Sequence, residues 1–322
     1  MFDNNYRYPF APFPDGWFLL MESARLGAAD VMPLQYFGRD LVLFRNEAGV
    51  AVLLDAHCPH MGAHLGYGGV VEGEGIRCPF HNWRFDSTGW CDDVPYTTAA
   101  DPAKASVHCW PVHETSGLIL AYHGAESAAP AWRMPERAEW GKDGWFGYHT
   151  VSWTIQMHTQ ELAENIPDTT HFLYVHGLPT MPVAEVRTEG HRYIQRTVRR
   201  TPEGVETWVL RQEAYGLGLV WLEVDGDKPY IFLTATTPID ELHVELRLLF
   251  LVYEGPGATE LSPASRAMVD ATAENTARDV SIWEHKVYRE RPMLMPGDGP
   301  IGVLRKWARQ FYPATAEAGS NQ

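Results

Sequence analysis

Between residues 58 and 81 the chain reads Cys58-Pro-His60, seventeen further residues, and then Cys78-Pro-Phe-His81. One thiol and one imidazole recur on each of two short segments. Pro59 and Pro79 stiffen both segments, while Gly62 and the Gly66-Tyr-Gly-Gly69 run allow tight loops beside them. Four such donors imply one shared inorganic centre, and a four-ligand centre requires the two loops to stay at a fixed distance. Antiparallel β-hairpins supply that rigidity.

Two centres suit this donor set. A structural zinc accepts two Cys and two His in a tetrahedron, but zinc fingers usually pair Cys with Cys and His with His. Here each loop carries one of each, which fits a Rieske-type [2Fe-2S] cluster: Cys58 and Cys78 on one iron, His60 and His81 on the other. Neutral nitrogen ligands leave such a cluster less negative and raise its potential above that of an all-cysteine ferredoxin. His57 and His64 fall outside the spacing and read as polar loop side chains.

The runs around the motif agree with a small antiparallel unit. From Gly16 to Tyr122, β-prone runs alternate with turns: Trp17–Met21, Met32–Phe37, Leu41–Arg45 and Val50–Leu54 precede the first loop. Trp83–Phe85, Val107–Val112 and Leu118–Tyr122 follow the second. Residues 1–16, rich in aromatics and proline without a period, read as an extended arm. Residues 17–123 form the expected cluster domain. The unpatterned Gly124–Ala131 segment marks a linker over 124–144. A second domain is expected over 145–313, with a disordered tail over 314–322.

That second domain carries another constellation, Asn165-Ile-Pro-Asp168-Thr-Thr-His171-Phe-Leu-Tyr-Val-His176. Residues 156–176 read mainly as helix with Pro167 inside, which would place Asp168 and His171 side by side on one face. Five more residues on an unbroken helix leave His176 roughly 140° away from His171. The two can share a metal only if the helix ends between them, and Gly177 and Pro179 are suitable terminators. Two histidines and one carboxylate make the facial triad of non-haem Fe(II). Taken alone, the pair is better read as polar residues at a helix end, because such spacing is not specific. The cluster motif in the same chain favours the metal.

Long strands follow, Tyr193–Val198, Val205–Arg211, Gly218–Val224, Pro229–Thr237 and Leu242–Tyr253, enough for one broad antiparallel sheet. Tyr230–Leu233 and Leu248–Val252 are apolar at successive positions, so both faces are expected to be covered, by core or by an apolar ligand. Ser262-Pro caps a helix expected to run to about Arg289 and stop at Pro292. A last helix is expected over Gly299–Tyr312. The fold class is therefore α+β: an antiparallel β cluster domain, then a helix-grip domain of antiparallel sheet plus helices.

Composition removes several classes of function. A net charge of -15 argues against a polyphosphate partner, so no nucleic acid is expected. No apolar run approaches a membrane span, and the start lacks the basic and apolar regions of a signal peptide, so the expectation is a cytoplasmic protein. Of four cysteines, Cys91 and Cys109 are left over and read as small buried hydrophobes.

With both motifs in this order over nearly the whole length, the chain resembles the catalytic α subunit of the Rieske non-haem iron oxygenases. The resemblance implies that His171 and His176 bind mononuclear Fe(II) with a third carboxylate from a C-terminal helix. Asp279 matches that position, with Asp270, Glu274 and Glu284 as nearby alternatives. It implies that Asp168 bridges a cluster histidine of one subunit to an iron histidine of the next in a homotrimer. Asn165 remains either part of that pathway or a helix cap. O2 is the implied cosubstrate. A separate flavin or ferredoxin-type reductase is the implied electron source, since no nucleotide-binding glycine fingerprint is present. The Tyr8–Trp17, Cys58–Ala63, Asp279–Trp283 and Gly299–Tyr312 pieces are similar to the 3-ketosteroid 9α-hydroxylase and sterol 7-desaturase subgroup. The expected activity is hydroxylation of a steroid-like or other polycyclic lipophilic substrate. Sterol demethylation or desaturation and aromatic O- or N-dealkylation are alternatives on the same machinery. A pure Rieske-type electron carrier would leave the last two hundred residues unexplained.

Overall fold

The computed structural model describes residues 8–98, 105–125, 128–224 and 230–312. The expected tail at 314–322, and the first seven residues of the expected arm, lie outside the described residues. The chain divides into two compact units: Leu19–His123 with Ala129–Arg133, and the remainder.

The smaller unit is built from short antiparallel strands. β1 (Gly16–Glu22), which enters this unit at Leu19, joins β10 (Val112–Thr115) and β11 (Leu118–His123) in the order β1-β11-β10. β2 (Val31–Tyr36), β3 (Arg39–Arg45), β4 (Ala51–Asp55) and β9 (Cys109–Trp110) form a second sheet. β5 (Val70–Glu72), β6 (Gly75–Arg77), β7 (Arg84–Phe85) and β8 (Cys91–Asp93) form a third. The sequence patterns missed β5, β6 and β8. Three-residue strands are too short to show alternation, and tertiary pairing alone makes them. Val42, Phe44, Leu54, Leu65, Ile76 and Phe85 close one core behind both motif loops. Cys91 is buried in that core and Cys109 is half-buried, both as free thiols.

The larger unit is one seven-stranded antiparallel sheet with helices. Its strands are β12 (Trp145–Ile155), β13 (Val183–Glu189), β14 (Arg192–Arg200), β15 (Glu206–Tyr215), β16 (Leu219–Val224), β17 (Tyr230–Pro238) and β18 (Val244–Tyr253), in the order β12-β18-β17-β16-β15-β14-β13. β13 escaped the sequence reading because its Glu, Arg and Thr side chains lie on an exposed edge. The apolar runs in β17 and β18 are buried on nearly every position, as their composition demands.

The helices depart from expectation in two places. Residues 156–176 do not form one helix. α1 (Thr159–Glu164) and α2 (His171–Tyr174) are short and separate. Pro167 lacks the amide that a continuous helix would use, and the Asp168 carboxylate takes the Thr170 and His171 amides instead. α3 (Pro263–His285) starts where the Ser262 hydroxyl accepts the Ser265 amide at 3.3 Å, but ends at His285 rather than near Arg289. The next residues are drawn away by long-range partners: Lys286 lies 3.4 Å from the Glu161 carboxylate, and the Arg289 and Glu290 carbonyls accept from Arg305. α4 (Ile301–Ala308) continues into a single tight turn over Arg309–Phe311.

α3 lays Val269 and Trp283 on the inner residues of β18. From α4 and its final turn, Leu304, Trp307 and Phe311 pack with Ala163 and Ile166 of the α1 region and with Tyr193 and Val220 of the sheet. Emptying a site such as Trp307 to alanine costs about 3–5 kcal/mol. α1 is thereby clamped between sheet and α4. The described part of the arm adds to this: Phe10 stacks on Tyr312 at 5.0 Å, and Tyr8 donates to Glu161. Among the described residues no helix is long and apolar enough to cross a membrane.

Candidate active site

The two cysteine–histidine loops are built alike. In the first, the Cys58 amide donates to the Ala63 carbonyl at 2.9 Å and the Gly62 amide returns to the Cys58 carbonyl at 2.9 Å. In the second, the Cys78 amide donates to Trp83 at 2.8 Å and the Asn82 amide returns to Cys78 at 3.1 Å. Each loop passes through positive φ at its fourth step after the cysteine, +76° at Gly62 and +62° at Asn82. Glycine and asparagine are the residues that tolerate this conformation. β6 and β7 form the hairpin under the second loop, with Arg77 paired to Arg84. A side chain at Gly69 would overlap the Leu65 carbonyl, so that glycine is required by close packing.

These loops bring Cys58, His60, Cys78 and His81 together. Both thiols are buried, and the His60 and His81 rings stand edge to face with centroids 4.5 Å apart. Trp83 lies flat on His60 at 4.5 Å. His60 Nδ1 is buried with no hydrogen-bond partner among the described residues. Burial pushes the Cys58 thiol up to about 11, so a thiolate there needs a cation beside it. Two buried thiols and an orphaned buried imidazole nitrogen fit an iron–sulfur cluster. His57 and His64 pair with each other outside this set, and His57 Nε2 contacts Asp40 at 3.1 Å.

The second constellation converges in the larger unit. His171, His176 and Asp279 each offer one ligand atom, and these atoms lie within 4.8 Å of one another. The approach depends on the break expected from geometry: α2 ends after Tyr174, and Gly177 at φ +71° turns the chain away. His176 Nε2 is 3.3 Å from Asp279, which is buried on α3. The alternatives Asp270, Glu274 and Glu284 are not in this group.

His171 Nδ1 donates to the Asp168 backbone carbonyl, which fixes the ring and leaves Nε2 toward the group. Burial pushes the His171 imidazole below its usual range and so favours the neutral, metal-binding form. Asn165 Nδ2 lies 3.4 Å from His171 Nε2, beside the triad. Asp168 Oδ1 accepts the Thr170 and His171 amides at 3.2 and 3.3 Å, while Oδ2 has no partner among the described residues. Two imidazoles and one buried carboxylate on separate elements fit a mononuclear iron with open positions.

The triad lines a cavity of ≈ 290 Å³. Its walls are mainly apolar, including Phe172, Leu210, Leu222, Phe232 and Trp283, with Gln212 and Thr234 among them. The volume is near the lower end of the roughly 300–1,000 Å³ usual for ligand pockets. Sequence reasoning missed Gln212, although it alternates with Leu210 and Ala214 on the buried face of β15, and a glutamine in that position is itself a signal. It also missed Gly299. A side chain there would overlap the Pro167 carbonyl beside Asp168.

The family comparisons agree with this architecture. The 3-ketosteroid 9alpha-hydroxylase C-terminal domain matches residues 121–312, and the Rieske [2Fe-2S] domain matches residues 16–111. A cholesterol 7-desaturase of Bombyx mori is 31% identical, over 94% of this chain and 70% of that protein. The oxygenase component of a 3-ketosteroid-9-alpha-monooxygenase of Rhodococcus rhodochrous is 31% identical, over 87% of this chain and 76% of that protein. Dicamba monooxygenase has the same fold, with a TM-score of 0.71 at 18% identity over 92% of this chain and 96% of that one. The chain belongs to the Rieske oxygenases, oxidoreductases that join a Rieske [2Fe-2S] domain to a catalytic domain of this kind.

Proposed function

We propose that the chain is the terminal oxygenase component of a multicomponent monooxygenase acting on a steroid-like or other polycyclic lipophilic substrate. The observation that carries this reading is the convergence of His171, His176 and Asp279 on the wall of an apolar cavity. In this reading Cys58, His60, Cys78 and His81 hold the [2Fe-2S] cluster, and His171, His176 and Asp279 hold mononuclear Fe(II). When bound, these centres supply single electrons and the activation of O2. Residues 17–123 act as the cluster domain and 145–313 as the catalytic domain.

The chain's own residues have definable tasks. The Asp168 carbonyl orients His171, and Asp279 supplies the negative charge that a divalent cation requires. Phe172, Leu222, Phe232 and Trp283 hold apolar rings and exclude water. Asp168 Oδ2, without a hydrogen-bond partner among the described residues, is placed in the reading to accept from a cluster histidine of a neighbouring subunit in a homotrimer. Asn165, beside His171 Nε2, belongs to the same electron-transfer region. A separate NAD(P)H-dependent reductase delivers the electrons, and the cytoplasm is the compartment in which that arrangement works.

Sterol desaturation is the second reading, favoured by the cholesterol 7-desaturases among the relatives. The test is product mass spectrometry after incubating iron-loaded protein with NADH, a surrogate reductase and a panel of 3-ketosteroids, sterols and aromatic acids. One oxygen gained by a 3-ketosteroid supports hydroxylation. Two hydrogens lost from a sterol move the assignment to desaturation, and turnover of none of the polycycles overturns the substrate class.

A further inference from the structure

The cavity wall carries one buried amide whose orientation is fixed from behind. Gln212 is 5% exposed, and across the strand pair it faces Gln195, which is 1% exposed. Gln195 Nε2 donates to the Ile166 carbonyl at 2.5 Å, and a backbone carbonyl can only accept, so that end of Gln195 must be the NH2. The same nitrogen lies 2.9 Å from Thr197 Oγ1 and 3.2 Å from Gln212 Oε1. The Thr197 hydroxyl, having accepted from Gln195, turns its proton toward Gln212 Oε1 at 3.4 Å. The two Gln195 protons serve three oxygens, one on Ile166 and the other shared between Thr197 Oγ1 and Gln212 Oε1; with the Thr197 proton also turned to it, the end of the Gln212 amide facing them is the carbonyl.

That leaves Gln212 Nε2, a donor and never an acceptor, without a hydrogen-bond partner among the described residues, on a residue that lines the cavity. Its lining neighbours Leu210 and Leu222 offer it no acceptor. Thr234 also lines the cavity, but a hydroxyl donates or accepts as required and so selects neither. Asn165 lies at the triad, with Nδ2 3.4 Å from His171 Nε2.

We propose that Gln212 is a specificity-determining residue that donates from Nε2 to a carbonyl oxygen on an otherwise lipophilic substrate. This rests on the cavity being the substrate site. Water can satisfy Nε2 while the cavity is empty. A pure hydrocarbon displaces that water and strands the donor, whereas a ketone replaces the lost bond. Gln195 and Thr197 are positioning residues: they keep the amide from turning its oxygen inward, where it would repel a carbonyl.

The test is equilibrium binding to the iron-loaded enzyme without reductant or O2, read by quenching of Trp208 and Trp283, which line the cavity. Two matched pairs serve as probes: 5α-androstan-3-one against 5α-androstane, and 2-tetralone against tetralin. The wild-type chain is expected to prefer the ketone by roughly tenfold, the worth of one neutral hydrogen bond. Gln212→Met keeps the side-chain length and leaves the two Gln195 amide protons on Ile166 and Thr197, so folding is retained. It is expected to erase the preference while hydrocarbon affinity holds or rises. Equal binding of ketone and hydrocarbon to wild type in both pairs, or a preference unchanged in Gln212→Met, overturns the proposal. A Gln212-dependent preference confined to the tetralone pair supports it while discarding the steroid reading. Steroid binding with no ketone preference does the reverse.

Discussion

Gly299 packs against the carbonyl of Pro167 so closely that no Cβ fits between them, and the segment Gly297–Gly299 thereby braces the residues on either side of Asp168. Thr170 adds a side-chain bond to the Gly297 carbonyl at 3.3 Å. The carbonyl that orients His171 comes from this braced stretch. Gly299→Ala must push it aside, at about 1–3 kcal/mol of stability for an overpacked contact. The expected outcome is a reduced ratio of mononuclear iron to protein with the visible absorption of the cluster unchanged. Full iron content in the variant would contradict the bracing role.

Arg305 on α4 grips the Glu164 carboxylate through two nitrogens, at 3.0 and 2.8 Å, with the Glu164 side chain only 8% exposed. Its guanidinium also lies 4.6 Å from the Tyr288 ring centre. Arg305→Met leaves a buried carboxylate that keeps Gln160 and Tyr288 as hydrogen-bond partners but loses its cation, and is expected to cost about 3–5 kcal/mol. The double variant with Glu164→Gln should recover most of that loss. Urea unfolding of the wild type, the two single variants and the double variant measures it, and additive losses would show that the pair is not coupled.

Asp168→Asn retains an oxygen for the Thr170 and His171 amides and leaves the backbone carbonyl on His171. Both metal centres should fill normally. Cluster oxidation in a single turnover with O2 and substrate is expected to slow by at least an order of magnitude, the scale at which orienting partners of metal ligands act. Unchanged single-turnover kinetics would remove Asp168 from the electron path.

His158 caps α1 from within the core: Nδ1 accepts the Gln160 amide at 3.0 Å and Nε2 donates to the Ala11 carbonyl at 3.1 Å. Burial pushes its imidazole from 6.5 down to about 3. Below pH 6.5 the unfolded chain binds a proton that the native chain refuses. The contribution is therefore fully present above that pH and falls by about 1.4 kcal/mol per unit as the pH drops. His158→Asn, which caps without titrating, should show a shallower loss of stability between pH 6.5 and 5. Denaturant midpoints across that range decide it, since parallel curves would mean that His158 is protonated in the native state.

The sequence by itself determined the cluster loops, because their geometry is local. Each is closed by two bonds between residues four and five apart, and Gly62, Asn82 and the prolines encode the backbone that those bonds need. It also limited how His171 and His176 could meet, since 3.6 residues per turn separates them on an unbroken helix. Asp279 came from family resemblance, because nothing in its local pattern distinguishes it from Asp270 or Glu274. Only the tertiary structure decided the rest. Gln212 and Gln195 are paired by strand register, Arg305 reaches Glu164 across 141 positions, and Lys286 and Arg289 are pulled out of the expected helix by partners on other elements. Turn chemistry is written in residue type and spacing. Register and helix docking are instead settled by how distant surfaces bury one another, which no short stretch of sequence contains.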